Sequence, residues 1–226
     1  YNMYEVVFYT LLSVLIVSLV SLVGVITLFF KEQKLDRMLM FLVSLSAGSL
    51  LGSAFFHLLP EKMKEQGGEL GINISLAVLG GFLLFFALEK FVHWRHCHVL
   101  PHKAHPHHLA VMNLVGDGVH NFMDGLVIAV SYLVSVPAGI ATTLAVVIHE
   151  VPQEIGDFGI LLYSGVSKIK ALFLNFLSAL VAVVGAIVGL VIGSGSQQFV
   201  SWILPFAAGG FLYIAGTALI PELHKG

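Results

Sequence analysis

Long apolar runs, separated by short polar segments, make up most of this sequence. Each run has few or no charges and is near the roughly 20 residues that a helix needs to cross about 30 Å of hydrocarbon. Lipid offers a backbone no hydrogen bonds, so spanning segments of this length must be α-helical. The pattern predicts an all-α membrane bundle with seven transmembrane helices, numbered 1 to 7. They are expected at residues 6–30, 38–59, 72–88, 109–134, 137–163, 169–192 and 199–220.

Composition supports a single transmembrane domain over residues 1–226. Hydrophobic residues make up 58% of the chain and charged residues 11%, against roughly 25% charged in an ordinary soluble domain. A lone cysteine, Cys97, argues against a metal site built from thiolates. No run of Lys and Arg indicates nucleic acid as a partner.

The positive residues predict the orientation, because Lys and Arg accumulate in short cytoplasmic loops. With the N-terminus outside, only Lys62 and Lys64 fall on the outer side. The inner segments hold Lys31, Lys34, Arg37, Lys90, Arg95, Lys103, Lys168, Lys170 and Lys225. The loop 93–108 is then cytoplasmic.

One internal match relates helices 2 and 7. Ala47-Gly48 and Pro60-Glu61 recur as Ala208-Gly209 and Pro221-Glu222, displaced by 161 residues. The two helices are five places apart in the series, so they cross in opposite senses, as in an inverted repeat. Helices 1–3 would then mirror helices 6–8 around helices 4 and 5, with an eighth helix expected in the natural protein. Chance similarity between two apolar helices is the alternative.

Polar side chains interrupt helices 4 and 5. An ionised group at the bilayer centre costs about 2.5 to 3.5 kcal/mol, and several together cost on the order of 10 kcal/mol. Hydrogen bonding among polar side chains could account for the presence of one or two such residues, but these helices have eight. The eight are Asp117, His120, Asn121, Asp124, His149, Glu150, Glu154 and Asp157.

Spacing places these groups on shared helical faces, because residues three and four apart are neighbours. His120 and Asp124 are four apart, as are His149 and Gln153. Two facing helices could bring imidazoles and carboxylates to a common point, and imidazole suits zinc and its transition-metal neighbours. Pro152 is expected to free a backbone carbonyl in helix 5. Gly125 and Gly156 are expected to let helices 4 and 5 approach closely.

Two motifs then point to a family. The stretch from His120 to Gly125, HNFMDG, resembles the HNxxDG motif of the ZIP (Zrt/Irt-like protein) metal transporters. The stretch from His149 to Asp157, HEVPQEIGD, resembles their HExPHExGD motif. The similarity includes HLLP at 57–60, EKFVHWRHCH at 89–98 and residues 175–180, and is closest to the histidine-rich branch.

The resemblance implies a homodimer of eight-helix chains in the plasma membrane, with no catalytic cofactor. It implies zinc as the cargo, with cadmium, iron and manganese as further candidates, and transport toward the cytoplasm. Helices 1, 4, 5 and 6 would move as an elevator against helices 2, 3, 7 and 8. The implied ligands are His120, Asp124, His149 and Glu150, with Asn121 and Glu154 at a second metal position.

Two residues depart from the family pattern. Gln153 replaces the second histidine of the fifth-helix motif but can still offer the metal an oxygen. Ser53 stands where the second helix often has an acid. At the outer end of the same helix, His57 and Glu61 are one turn apart, where they gather metal or are merely solvated.

Seven histidines in the loop 93–108 predict a weak, unselective metal-holding segment, or a solvated linker. They are His93, His96, His98, His102, His105, His107 and His108.

Two other functions remain open at this point. HEVPQ at 149–153 is one residue short of the HExxH signature of zinc proteases. An intramembrane zinc hydrolase is therefore one alternative, although Gln153 and Pro152 argue against it. A sensor that binds metal without transporting it is the other. We expect no enzymatic activity.

Overall fold

The computed structural model describes residues 2–29, 32–65, 70–94 and 106–223. Within these ranges the chain is helical and has no strand, which confirms the all-α fold class. It forms seven helical rods, each with a single number here. They are α1 (Met3–Val20, then a 3₁₀ segment, Ser21–Phe29), α2 (Glu32–Ser53, a π segment at Ala54–Leu58, and Leu59–Glu65), α3 (Ile72–Trp94), α4 (Pro106–Val134), α5 (Val136–Tyr163), α6 (Lys168–Ala179 and Val181–Gly195) and α7 (Gln197–Ile214, a π segment at Ala215–Leu219, and Ile220–Leu223).

Five of the described rods are long and apolar enough to cross a membrane. These spans are Met3–Val25, Val43–Lys64, Ile72–Lys90, Lys168–Gly195 and Gln197–Thr217. The other two rods, α4 and α5, carry the buried histidines and acids, which lower their apolar character. Composition therefore distinguishes these two helices from the other five described rods.

Single residues connect two pairs of rods. Ser135 separates α4 from α5, has an extended backbone, and accepts a hydrogen bond from Ala138 N at 3.2 Å. Ser196 separates α6 from α7 and accepts from Phe199 N at 3.1 Å. A serine oxygen satisfies one of the free amides at a helix start. Such short connections make α4 and α5 an antiparallel hairpin.

Glycines bring α4 and α6 into backbone contact. A Cβ on Gly125 would lie 1.8 Å from Ala182 O, and one on Gly185 would lie 1.9 Å from Phe122 O. Neither space admits a methyl group. Gly125 therefore faces α6, so the prediction that it faces α5 is wrong. Nothing lies within 4 Å of a Cβ added at Gly156, so this glycine does not mediate a close approach either.

Glycines also bring α3 and α7 into backbone contact. A Cβ on Gly81 would lie 1.8 Å from Phe206 O, and one on Gly209 would lie 1.9 Å from Val78 O. The two pairs contact each other directly, mainly between α4 and α7, while α2 packs against both α5 and α7.

Both π segments were absent from the sequence prediction. They occupy residues 54–58 of α2 and 215–219 of α7, and their displacement is again 161 residues. A proline follows each segment, Pro60 in α2 and Pro221 in α7.

Helix boundaries differ from the prediction in three further places. Helix 1 becomes 3₁₀ from Ser21, and helix 6 is interrupted at Leu180. Helix 3 continues to Trp94 and α4 begins at Pro106. The connection between them is therefore 95–105, which lies outside the described residues, as do four of the seven loop histidines: His96, His98, His102 and His105.

Candidate metal site

Four side chains from α4 and α5 converge on one point. His120 Nε2 lies 3.2 Å from His149 Nε2 and 3.2 Å from Glu150 Oε1. His149 Nε2 lies 3.2 Å from Asp124 Oδ2. One ligand atom from each residue lies within 4.8 Å of all the others. The structure thus brings together four residues that the two motifs nominated, and we call them the histidine cluster.

The histidine cluster is buried. His149 is 2% exposed, Asp124 is 1% exposed and Glu150 is fully buried. Two carboxylates placed there need cations or protons, because an unpaired charge in a low-dielectric interior is strongly destabilising.

A backbone carbonyl orients His149. Its Nδ1 lies 3.0 Å from Ala145 O, one turn earlier on α5. Because a carbonyl only accepts, Nδ1 carries the hydrogen, and Nε2 of the neutral ring presents a lone pair to the cluster. Metal-binding histidines are commonly held this way by their second nitrogen.

Within the described residues, Asp124 Oδ2 and both Glu150 oxygens lack a hydrogen-bond partner. In the neutral ring the lone pair of His149 Nε2 faces Asp124 Oδ2, so two acceptors meet at 3.2 Å. Only a proton or a metal ion between them makes this arrangement favourable. Two nitrogens and two carboxylates also match the four donors of tetrahedral zinc.

Aromatic rings from the other pair of helices border the histidines. Phe85 of α3 meets the His120 ring edge to face, with centroids 5.9 Å apart. Phe211 of α7 meets His149 with centroids 5.8 Å apart. These rings exclude water from one side of the histidine cluster.

A second set of acids lies beside the first. Asp117, Glu154 and Asp157 each offer an oxygen within 4.8 Å of the others, and we call them the acidic group. Asn121 donates from Nδ2 to Asp117 Oδ1 at 2.8 Å, and Asn175 of α6 donates to Glu154 Oε2 at 2.5 Å.

The remaining motif residues border this acidic group. Asn121 donates to Asp117, Glu154 belongs to the group, and half-buried Gln153 directly precedes Glu154 in the chain. Sequence reasoning noted Asp117 and Asp157 as costly intramembrane acids but did not place them among the ligands. For Asp157 the signal was its spacing, since it follows Glu154 by three residues on the face that also carries Glu150.

A cavity of about 300 Å³ lies between α2 and α5. His57 lines it, with a ring nitrogen 3.2 Å from Ala138 O. Its α5 wall is formed by Ala141, Leu144, Ala145 and Ile148, and Ala145 is the residue whose carbonyl orients His149. The cavity therefore ends within one helical turn of the histidine cluster.

Comparison with known proteins tests the resemblance. The profile of the family described as ZIP Zinc transporter matches residues 4–110 and 101–226. The chain belongs to the ZIP zinc transporter family. ZIP proteins are transporters rather than enzymes, so the expectation of no enzymatic activity is confirmed.

Curated ZIP proteins show similarity along the chain. Zinc transporter ZIP13 of Mus musculus is 37% identical over 223 residues, covering 80% of this chain and 62% of that protein. Metal cation symporter ZIP14 of Homo sapiens is 32% identical over 301 residues, covering 98% of this chain and 61% of that protein. The chain thus spans somewhat more than three fifths of the length of these ZIP relatives.

Proposed function

We propose that this protein carries divalent metal ions, zinc first among them, across a membrane into the cytoplasm. The observation that carries the proposal is the histidine cluster, in which two imidazoles and two carboxylates converge in the buried interior, where Asp124 Oδ2 and both Glu150 oxygens have no hydrogen-bond donor among the described residues. Such a site costs stability unless it holds a cation. The names of the ZIP13 and ZIP14 relatives, a zinc transporter and a metal cation symporter, support the same cargo class.

His120, Asp124, His149 and Glu150 are the proposed ligands of the main metal position. Asn121 and Glu154 belong to a second position, as the family resemblance implies, and Gln153 stands between the two. Imidazole nitrogens favour zinc over magnesium or calcium. Cadmium, iron and manganese are further candidate cargoes, because carboxylates accept them as well.

The cavity between α2 and α5 is the proposed route from outside. It begins beside His57 and ends at the wall that orients His149. The acidic group lies at the opposite side of the histidine cluster, toward the start of α4 and the end of α5. With the N-terminus outside, as the distribution of Lys and Arg favours, that direction is cytoplasmic.

An elevator movement fits the packing. The glycine contacts join α4 to α6 and α3 to α7, and in the proposed movement each pair stays together as one body. All ligands of the histidine cluster are on α4 and α5, while Phe85 and Phe211 belong to the other pair. Sliding α1, α4, α5 and α6 past α2, α3 and α7 would carry the metal without dismantling its site.

The proposed architecture has all seven rods crossing the plasma membrane and two chains per dimer. The shared displacement of 161 residues supports an inverted repeat, because it relates both the sequence match and the two π segments. The π segments lie just before the prolines that the sequence match contains, so structure and sequence support the proposal at the same place.

Flux into proteoliposomes tests the function. Purified protein should admit zinc without any added substrate, and His120→Ala together with His149→Ala should abolish that flux. Saturable zinc binding with no flux would instead identify a metal sensor and reject transport.

A further inference from the structure

A small cavity lies where the end of α2 meets the starts of α3 and α7. Its volume is about 60 Å³, which is enough for a few water molecules or one small anion. The lining residues are Lys62 of α2, Asn73 and Ile74 of α3, and Ser201, Trp202 and Pro205 of α7. An ammonium, an amide and a hydroxyl therefore share one space, which belongs neither to the histidine cluster nor to the cavity beside His57.

Lys62 is the most unusual residue of this lining. It is only 5% exposed, whereas lysines are almost never fully buried unless their charge is paired. Its ammonium has three N–H donors, so it can bind an anion in the cavity in addition to a protein partner. Lys62 is also one of the two lysines that the predicted orientation leaves on the outer side, against the usual distribution of positive charge.

The other polar groups of the lining also favour an anion. The Asn73 amide and the Ser201 hydroxyl can each donate a hydrogen bond. Asn73 lies in the first turn of α3, where backbone amides have no acceptor within the helix and the helix dipole is positive. The described residues of the lining include no carboxylate that would repel an anion.

The cavity lies at the depth of the lipid headgroups. Three apolar spans have an end at this level, namely Val43–Lys64, Ile72–Lys90 and Gln197–Thr217. Lys62, Asn73 and Ser201 are each within about one helical turn of such an end. The anions present at this depth of a bilayer are the phosphate groups of phospholipids.

Apolar surface adjoins the polar lining. Trp202 is 41% exposed, and tryptophan is enriched where a membrane meets water. Ile72 and Leu76 of α3 are 72% and 51% exposed. A molecule with an anionic group in the cavity could therefore lay an acyl chain along α3, which a free anion cannot do.

We propose that this cavity binds the phosphate of a phospholipid, with Lys62, Asn73 and Ser201 as donors and Trp202 against the glycerol region. Lysine binds phosphate as a point charge. The bound lipid fastens the end of α2 to the starts of α3 and α7, in the outer leaflet if the N-terminus is outside. This site does not depend on the transport function proposed above.

Native mass spectrometry of the full chain, stripped of lipid in a maltoside detergent, tests the site. The protein should retain one added phosphatidylglycerol per chain, but not diacylglycerol with the same acyl chains, which lacks the phosphate. Lys62→Met should weaken retention about tenfold, the usual effect of losing one hydrogen bond to a charged group. Ser201→Ala should weaken it less, because it removes a neutral donor. Lys64→Met is the matched control, since Lys64 is exposed and does not line the cavity.

Three outcomes would overturn the proposal. Equal retention of phosphatidylglycerol and diacylglycerol by the unsubstituted protein would reject recognition of a phosphate, even if Lys62→Met does not fold. Retention that is unchanged in both Lys62→Met and Ser201→Ala would reject this cavity as the site. Inorganic phosphate, added without lipid, distinguishes the source: if it binds and no phospholipid is retained, the cavity is a site for a free anion and the lipid assignment is wrong.

Discussion

The Nε2 atoms of His120 and His149 face each other across 3.2 Å, one from each helix of the α4–α5 hairpin. Since His149 donates its Nδ1 hydrogen to Ala145, its Nε2 offers only a lone pair when the ring is neutral. The two rings therefore need a shared proton or a metal between them. Any shift of α4 against α5 would break this relationship, so the hairpin must move as a unit if the metal is to stay bound.

Replacing His120 or Asp124 with Ala should remove most zinc flux, about tenfold or more, while leaving the protein in the membrane. Each change deletes one of four donors to the metal, and neither removes apolar surface that helix insertion requires. Initial rates of zinc uptake into proteoliposomes, normalised to protein content, measure the effect.

Thr143→Ala supplies the matched control for these variants. Thr143 is a buried polar residue on α5, but its hydroxyl donates to Gly139 O of the same helix. Its loss should leave flux within about twofold of the unsubstituted protein. Uptake that is equally fast in the His120 and Asp124 variants would mean that the histidine cluster is not on the route.

The chemistry of the histidine cluster was predictable from the sequence, because spacing of three and four fixes which side chains share a helical face. The position of Gly125 and the assembly of the acidic group were not. Both depend on how α4 rotates about its axis against α5 and α6, and apolar sequence specifies that rotation only weakly. Asp117 and Asp157 are 40 positions apart, and only packing shows that they meet.

The fold, too, was predictable from the sequence only in part. Apolar length predicted the rods, since lipid leaves the backbone no other way to satisfy its hydrogen bonds. It could not predict the π segments at 54–58 and 215–219, because one extra residue in a helical turn leaves no hydrophobic signature. The 3₁₀ segment from Ser21 and the break at Leu180 also lie within continuous apolar sequence, which does not mark a change of helix type.

Gly125→Ala should destabilise the protein by about 1 to 3 kcal/mol, the usual cost of overpacking. The new methyl group would meet Ala182 O, so α4 and α6 would have to separate. Gly159→Ala on α5 is the control, because nothing lies within 4 Å of its added Cβ. Thermal unfolding in detergent should show a lower Tm for Gly125→Ala alone, and equal Tm values for both variants would contradict the close α4–α6 contact.

Replacing residues 98–105 with a short Gly/Ser bridge should leave zinc flux recognisable and change its dependence on cytoplasmic metal. This segment contains three of the loop histidines and ends before the first residue of α4. A segment that binds zinc weakly changes how much zinc is held near the protein, but it does not form part of the transport route. Uptake measured over a range of zinc concentrations inside the vesicles checks the effect, and complete loss of flux with normal insertion would place the segment in the route itself.

Gln153→His should tighten zinc binding by on the order of tenfold, or about 1.4 kcal/mol. Gln153 is one turn from His149 on α5 and directly precedes Glu154 of the acidic group. An imidazole nitrogen there is a better zinc donor than an amide oxygen. Turnover should fall as affinity rises, because an ion held more firmly is released more slowly.

Isothermal titration and flux on the same preparations separate these two effects. Gln153→Glu is the informative comparison, since a carboxylate adds charge without adding nitrogen and should improve Mn²⁺ binding more than zinc binding. Tighter zinc binding in Gln153→His with slower flux is the expected pair of results. Zinc affinity that does not change on introducing histidine would show that residue 153 faces away from the metal, and would require a different rotation of α5 from the one proposed here.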